Sequence, residues 1–160
     1  MQEKQTTNDI GVADVSAIPE CGRLIALDPG TKRIGVAVCD ELRVTTRPLN
    51  VITRTSWKKL LSRIHEIISE FDAKALIIGL PLESDGSESE MSLEARRMAR
   101  NFSLSLSIPV FLEDERVTSY EAKSRLWAKG KTVVESRILV DSVAAAIILE
   151  DFLARVGSTR

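Results

Sequence analysis

A β-hairpin predicted near the start of the chain constrains the fold more than any other feature of the sequence. Two apolar, β-rich runs, residues 23–28 (RLIALD) and 33–39 (RIGVAVC), are separated by a Pro-Gly-Thr-Lys turn. A third run at 46–52 (TRPLNVI) contains Pro48, which cannot donate a ladder hydrogen bond and so favours an edge strand or a bulge. The sequence therefore predicts three antiparallel strands as its first unit.

The rest of the chain alternates between helical and buried-strand patterns. Residues 56–71 carry apolar side chains at helical spacing with Ser56 as N-cap, and 75–81 (ALIIGLP) is typical of a strand buried on both faces. The order β-β-β-α-β-α-β-α-α predicts an α/β fold with a mixed five-stranded sheet, antiparallel strands first and parallel β-α units afterwards, flanked by helices. The later elements are predicted as a helix through 91–106, a strand at 109–114, and helices near 118–129 and 135–154.

The length of 160 residues fits one domain, predicted at 22–156 between a polar, disordered tail at 1–21 and a short tail at 157–160. Residues 1–20 carry four acidic and one basic side chain, a net of −3, so the overall −1 leaves +2 for the remainder. The N-terminus lacks the regions of a secretory signal, and the longest apolar stretch, 143–149, is too short to cross a bilayer. We expect a cytoplasmic protein with no membrane partner.

Acidic residues occupy positions where a buried element would ordinarily carry apolar side chains. Asp28 ends the first strand, and the run Glu113-Asp114-Glu115 ends the strand that begins at residue 109. Asp141 heads an apolar stripe of the last helix, formed with Ala145, Ile148 and Phe152. Buried carboxylates destabilise a fold unless a cation or a metal pairs with them.

Each acid also has a simpler interpretation. Asp28 could accept backbone N–H bonds within its own turn, and Asp141 could cap the helix or pair with Arg137. Together, however, acids from distant segments that converge at one end of a sheet form an oxygen-ligand site for Mg²⁺ or Mn²⁺. Two such ions, about 4 Å apart, support phosphodiester hydrolysis without a histidine. The single histidine, His65, is predicted to lie on the helix surface, and Cys21 and Cys39 are predicted to be free thiols.

Four motifs resemble those of the YqgF family, also called RuvX, whose members are described as Holliday junction resolvases and as pre-16S rRNA nucleases. They are ALDPGTKRIGVAV, IIGLPLESDG, EDERVTSYEA and VDSVAAAIILED, and the resemblance covers about residues 23–154. It implies an RNase H-like fold and a divalent-metal nuclease whose acids, as both catalytic groups and metal ligands, match Asp28, Glu115 and Asp141. Strand alternation places Asp114 on the opposite face from Glu115, so Asp114 stays open as the alternative ligand.

The other motif positions acquire candidate roles from the same resemblance. Basic side chains could position phosphates or be ordinary surface charges, and Thr118 or Ser119 could serve the motif or cap the next helix. The candidate nucleic-acid contacts are Lys32, Arg33, Arg116 and Arg137, and the other motif residues are Gly30, Thr31, Gly79, Pro81, Thr118 and Ser119.

The resemblance implies a nucleic-acid substrate, the 5′ end of pre-16S rRNA or a branched DNA junction, and ribosome- or transcription-associated protein partners. A non-catalytic nucleic-acid or protein binding module of the same fold is the alternative. The loop LDPGTKRIG is also similar to the phosphate loop of actin-like ATPases, but those proteins close two domains over a nucleotide, and this chain has room for one.

Overall fold

The computed structural model describes residues 12–116 and 133–158 of the chain. The elements in those ranges agree with the predicted ones to within a few residues, and the predicted helix near 118–129 lies outside the described residues. The strands are β1 (Leu24–Pro29), β2 (Arg33–Cys39), β3 (Thr46–Thr53), β4 (Ala75–Leu82) and β5 (Val110–Arg116). The helices are α1 (Trp57–Phe71), α2 (Glu90–Ser105) and α3 (Val133–Ser158), and a 3₁₀ turn spans Val15–Ala17.

The strands form one five-stranded sheet in the order β3-β2-β1-β4-β5. The pairs β1–β2 and β2–β3 are antiparallel, whereas β1–β4 and β4–β5 are parallel. β3 lies at the edge, as its Pro48 predicts. The predicted mixed RNase H-like sheet is confirmed.

Helices cover both faces of this sheet. Side chains alternate along each strand, so that Ile25 and Leu27 of β1 pack beneath α1 and α2, whereas Leu24 and Ala26 pack beneath α3. We call these the α1/α2 face and the α3 face. The helices contribute Leu60, Ile64, Ile67, Ala95, Met98, Ala99 and Phe102 to the first and Ala145, Ala146, Ile148, Leu149 and Phe152 to the second. Each fully buried leucine, isoleucine or phenylalanine stabilises the fold by about 1.5–3 kcal/mol.

Local side-chain bonds fix where α1 and α2 begin. The Ser56 hydroxyl accepts the Lys59 N–H at 3.2 Å, which confirms the predicted N-cap. Ser89 and Ser92 form a capping box at the start of α2. α1 follows β3 and α2 follows β4, and both strands run in the same direction as β1, so the loops before the two helices lie at the end of the sheet where β1 ends.

The segment before β1 packs on the sheet from Val12 onward. Val12 contacts the core of the α1/α2 face, Val15 and Ile18 contact that of the α3 face, and the Ala13 N–H donates to the Val110 carbonyl at 2.8 Å. These contacts fall within the stretch predicted as a polar tail, because its few apolar residues lie where they can cover the sheet. The boundary at residue 22 stays a prediction.

Three smaller predictions concern single residues and the membrane. His65 is exposed on α1 as predicted, and neither Cys21, which is exposed, nor Cys39, which is buried, forms a disulfide. No helix within 12–116 and 133–158 is long and apolar enough to span a bilayer.

Candidate active site

Asp28 lies near the carboxyl end of β1, half-buried, and pairs in register with Gly35 of β2. It follows Leu24 and Ala26 at two-residue steps, so it belongs to the α3 face. The loop after it is tight at Gly30, where a Cβ atom would collide with the Arg33 carbonyl oxygen. A glycine at this position therefore lets the chain turn back into β2 directly beside the carboxylate.

The acids of β5 divide between the two faces of the sheet. Glu113 and Glu115 are buried, with exposed fractions of 4% and 6%, on the side of Phe111 and α3. Asp114 is exposed and lies on the opposite side. The strand geometry thus brings Glu115, and not Asp114, onto the face that carries Asp28.

The register of the sheet gives the separation between these two acids. Leu27 pairs with Ile78 and Ile78 with Leu112, so Asp28 is in line with Glu113, and Glu115 lies two residues farther along β5. With strands about 4.8 Å apart and a rise of about 3.3 Å per residue, the lateral and axial offsets of Asp28 from Glu115 are about 10 Å and 7 Å. Side chains that extend toward each other across β4 could share divalent ions over that span.

The third predicted acid, Asp141, lies in the backbone of α3, and its side chain falls outside the described part of the structure. Over the side chains that are described, no three His, Cys, Asp or Glu residues form a group that could hold a metal. Of the three predicted acids, the structure therefore describes the side chains of Asp28 and Glu115. For residue 141 it gives the position of the backbone.

Ser142 fixes that placement, and it is a residue to which the sequence assigned no role. Its side chain is fully buried, and its hydroxyl oxygen accepts the N–H of Val36 at 3.1 Å. The β2–β3 register shifts between Ile34 and Val36, an irregularity of the kind that leaves ladder groups unpaired. Because Val36 follows Gly35, the partner of Asp28, this bond holds residues 141 and 142 close to Asp28. The feature of the sequence that could have indicated this role is a serine within an alanine-rich stripe of the last helix.

Gly79 lets α3 approach the sheet at the same level. A Cβ atom there would collide with the Ile148 side chain and approach the Leu27 carbonyl oxygen. Pro81, two residues later and half-buried, is in register with Glu115. Because Gly79 has no side chain and Pro81 has a small one, these residues of β4 place little bulk between the two strands that carry the acids.

Glu113 forms an ion pair with an arginine and is not part of the candidate metal site. The Arg155 guanidinium of α3 donates to its Oε2 at 2.6 Å and 2.9 Å. Burial raises the pKa of Glu113, and the hydrogen bonds and charge of Arg155 offset that shift in part. The sequence grouped Glu113 with Glu115 and Asp114, but a partner 42 residues away could not be read from it.

The predicted phosphate contacts are described only in part. Lys32 and Arg33 are exposed beside Asp28. Arg116 lies in β5 opposite Leu82, and Arg137 lies in α3, but the structure describes only the backbone of these two residues. Thr118 and Ser119 lie outside the described residues. Thr31, between Gly30 and Lys32, is exposed at the tip of the turn.

Arg54 is a further residue that sequence reasoning missed. It follows β3, and its guanidinium donates to the Gly30 carbonyl at 3.1 Å and to Glu94 of α2 at 2.6 Å. Its backbone N–H also donates to the Lys32 carbonyl at 2.9 Å. Arg54 therefore holds the loop after Asp28 against β3 and α2.

Comparisons with known proteins agree with the sequence motifs. The family model described as "RuvX: Holliday junction resolvase" matches residues 22–155. A protein of Anaeromyxobacter sp. (strain K) named "Putative pre-16S rRNA nuclease" is 40% identical over 133 residues, which is 83% of this chain and 97% of that protein. One of the same name from Syntrophus aciditrophicus (strain SB) is 36% identical over 138 residues, covering 86% of this chain and 92% of its own.

Among solved structures, T. thermophilus RuvC in complex with a Holliday junction substrate aligns with 85% of this chain and 96% of its own. Its TM-score is 0.45 and its sequence identity is 19%.

Proposed function

The chain belongs to the RuvX family of nucleases, and we propose that it is a divalent-metal-dependent enzyme that hydrolyses phosphodiester bonds in structured RNA, at the 5′ end of pre-16S rRNA. One observation carries the proposal. Asp28 and Glu115 lie near the ends of two strands on the α3 face, and the Ser142–Val36 bond holds the backbone of residue 141 near Asp28. The three segments thus approach the carboxyl end of the sheet, where open α/β folds bind ligands, and this supports the proposal.

The donor set suits hard divalent cations. Asp28, Glu115 and Asp141 offer only carboxylate oxygens, which Mg²⁺ and Mn²⁺ prefer, and no described thiol or imidazole lies among them. We propose that these three residues hold two ions. When bound, such ions activate a water molecule and stabilise the leaving oxygen. The half-burial of Asp28 leaves its carboxylate within reach of solvent, whereas Glu115 is orientated by its buried surroundings.

The basic side chains around the site position the substrate in this proposal. Lys32 and Arg33 are exposed beside Asp28, and Arg116 and Arg137 belong to the segments that carry the other two acids. Cations at these positions contact phosphates and so fix the register of the nucleic acid without reading its sequence. We further propose a cytoplasmic location, a single domain at 22–156, and ribosome- or transcription-associated partners.

The assignment of the acids is tested by replacing Asp28 or Asp141 with asparagine. Cleavage of a pre-16S RNA fragment in Mg²⁺ or Mn²⁺ is expected to disappear in both variants, while thermal unfolding shows an intact fold. Asp114→Asn is the matched control, because Asp114 lies on the opposite side of the sheet. Undiminished cleavage by the Asp28 and Asp141 variants would show that the site lies elsewhere.

Metal binding needs a separate measurement, since a non-catalytic module could keep the fold. Calorimetric titration of the wild-type protein with Mn²⁺ is expected to give a binding isotherm that Asp28→Asn weakens. Absence of binding at millimolar Mn²⁺ would favour a binding module without turnover.

A four-way DNA junction is the second candidate substrate, and the description of the matching family model favours it. The two substrates are distinguished by comparing cleavage rates on a four-way junction and on the RNA fragment under the same conditions. If the junction is cleaved faster, DNA replaces RNA as the proposed substrate, and the proposed acidic site stays the same.

A further inference from the structure

We propose that a cavity between α1 and α2 binds one unpaired nucleobase of the nucleic-acid substrate, next to the bond that is cut; this rests on the proposed nuclease function. The cavity has a volume of about 290 Å³ and lies on the α1/α2 face. Ligand pockets usually measure about 300–1,000 Å³, so this one is at the small end and suits a single planar ring system.

The cavity combines an aromatic wall with an apolar floor. Trp57, the first residue of α1, is 37% exposed and lines it, and its ring packs against that of Phe102, with ring centroids 4.7 Å apart. Leu60 and Met98 form the floor, with exposed fractions of 5% and 3%. An exposed indole held rigidly over an apolar floor is a platform on which any base can stack.

Polar groups stand at the rim, where the edge of a base would lie. Asn101 of α2 lines the cavity and carries both a donor and an acceptor on its amide. Arg97 also lines it, with a side chain 70% exposed, and contacts Glu94 at 2.7 Å. The rim can therefore hydrogen-bond to a base edge and place a cation near the adjoining phosphate.

Arg54 connects this cavity to the candidate active site. Its guanidinium lines the cavity and also donates to the carbonyl of Gly30, two residues after Asp28. The cavity and the loop after Asp28 thus share one side chain at the same end of the sheet, although they open on different faces. In this proposal, a strand whose phosphate lies at Asp28 passes around the end of β1 to reach the cavity.

A paired base cannot enter such a cavity, because its edge and both its faces are engaged within the duplex. Enzymes that accommodate a base in a pocket act on single strands or extrude the base from the stack. The inferred substrate class is therefore a structured nucleic acid with an unpaired nucleotide beside the cleaved bond.

The test compares two RNA hairpins of identical stem sequence, one blunt and one with a single-stranded adenosine overhang. Affinities are measured in an Asp28→Asn background, which is not expected to cut the RNA. Trp57→Ala is expected to lower the ratio of overhang to blunt affinity about tenfold, within the range for loss of one base-stacking contact. Asn101→Ala is expected to lower it about two- to tenfold, the range for loss of one hydrogen bond. Trp57→Phe, which keeps a ring, should retain most of the preference, and Leu104→Ala, an exposed position elsewhere on α2, should leave it unchanged.

A second measurement uses a mononucleotide instead of an RNA hairpin. The chain has two tryptophans, so Trp127→Phe leaves Trp57 as the single emitter. Titration with adenosine monophosphate should quench its fluorescence, and Asn101→Ala should weaken that quenching. Thermal unfolding of each variant separates loss of the pocket from loss of the fold.

The outcomes distinguish this inference from the proposed function. Normal wild-type cleavage with an unchanged affinity ratio in the Trp57 and Asn101 variants, and no quenching, would overturn the base pocket alone. An overhang preference that depends on Trp57 and Asn101, in a protein that cleaves nothing, would support the pocket and reject the nuclease.

Discussion

The two faces of the sheet differ in what they bury. The α3 face encloses two carboxylates, Glu113 and Glu115, together with Ser142, whereas the α1/α2 face is apolar except for Ser92, which caps α2. Burying a charge costs stability unless a partner compensates for it. The buried side chains of the α1/α2 face therefore stabilise the fold, whereas the α3 face also buries polar groups whose burial must be compensated.

Two of the buried polar groups of the α3 face have identified structural partners. Glu113 is paired with Arg155, and Ser142 with the Val36 N–H, so both are accounted for within the fold. Glu115 shares its face with Asp28 and belongs to the proposed site. Burial alone therefore does not distinguish a structural acid such as Glu113 from a candidate ligand such as Glu115. The position of Glu115 on the face that carries Asp28 is what supports its place in the proposed site.

The largest expected effect tests whether Ile64, in the core of the α1/α2 face, acts only through the stability of the fold. Ile64 is fully buried there, and Ile64→Ala should destabilise the protein by about 2–5 kcal/mol through lost burial and the cavity it leaves. Urea denaturation measures the loss. Cleavage per folded molecule should stay at the wild-type level, and Ile64→Val should cost only about 0.5–1.5 kcal/mol. A loss of turnover without a loss of folded protein would contradict the comparison.

The α3 face should respond in the opposite way at Glu115. Glu115→Gln keeps the shape of the side chain but removes its charge, so cleavage should fall about a hundredfold, equivalent to about 2.7 kcal/mol of barrier, with little change in unfolding. Asp114→Asn, one residue away on the other side of the sheet, should change the rate less than threefold. If the Asp114 variant were the slower enzyme, the assignment of the ligand would be reversed.

Removing the partner of Glu113 should be costly for the fold. Arg155→Met leaves a buried carboxylate without its guanidinium, and the free energy of unfolding should fall by about 1.5–3 kcal/mol in urea denaturation. The double variant Glu113→Leu with Arg155→Met removes the charge as well and should recover most of that loss. A double variant as unstable as Arg155→Met would mean that packing, not charge, dominates.

A smaller loss is expected from Ser142→Ala. The Val36 N–H would lose its acceptor in a buried position, which costs about 1–2 kcal/mol after the gain in helix propensity. Cleavage should also fall, because residue 141 is no longer held beside Asp28. Ser105→Ala, at the exposed end of α2, is the control that should change neither quantity.

The smallest effect contrasts two glutamates by their pH dependence. Burial raises the pKa of Glu113, so its protonation favours folding, and wild-type stability relative to Glu113→Gln should rise as pH falls toward 4.5. Burial also acts to raise the pKa of Glu94, but Arg54 and Arg97 hold it below 4.5, so wild-type stability relative to Glu94→Gln should be full above 4.5 and decline below it. Denaturation at pH 3 to 7 should show slopes of opposite sign for the two glutamates. The effect of Glu94 should stay under about 1 kcal/mol because its side chain is partly exposed.

Local pattern was sufficient to predict much of the fold. The two apolar, β-rich runs at 23–28 and 33–39, the proline of β3 and the stripe of α1 each depend on neighbours within a few positions, so strands, edge and helix could be assigned correctly. The motif resemblance selected Glu115, and strand alternation with the observed burial places it on the face of Asp28.

Contacts between distant segments could not be predicted in the same way. The bonds of Glu113 to Arg155 and of Arg54 to Gly30 and Glu94 depend on how α2 and α3 are orientated on the sheet. No periodicity in the sequence encodes those orientations. The cavity beside Trp57 was missed for the same reason, since its walls come from two helices.

The bond between Ser142 and Val36 also determines how early during protein synthesis residue 141 can be held near Asp28. Its two residues are 106 positions apart, and the chain is synthesised at about 5–20 residues per second, so about 5–20 s separate the emergence of β2 from that of Ser142. Until then the sheet lacks the helix that brings residue 141 to Asp28. A growing chain therefore carries Asp28 long before residue 141 can join it, so the order of synthesis itself would delay completion of the proposed acidic site.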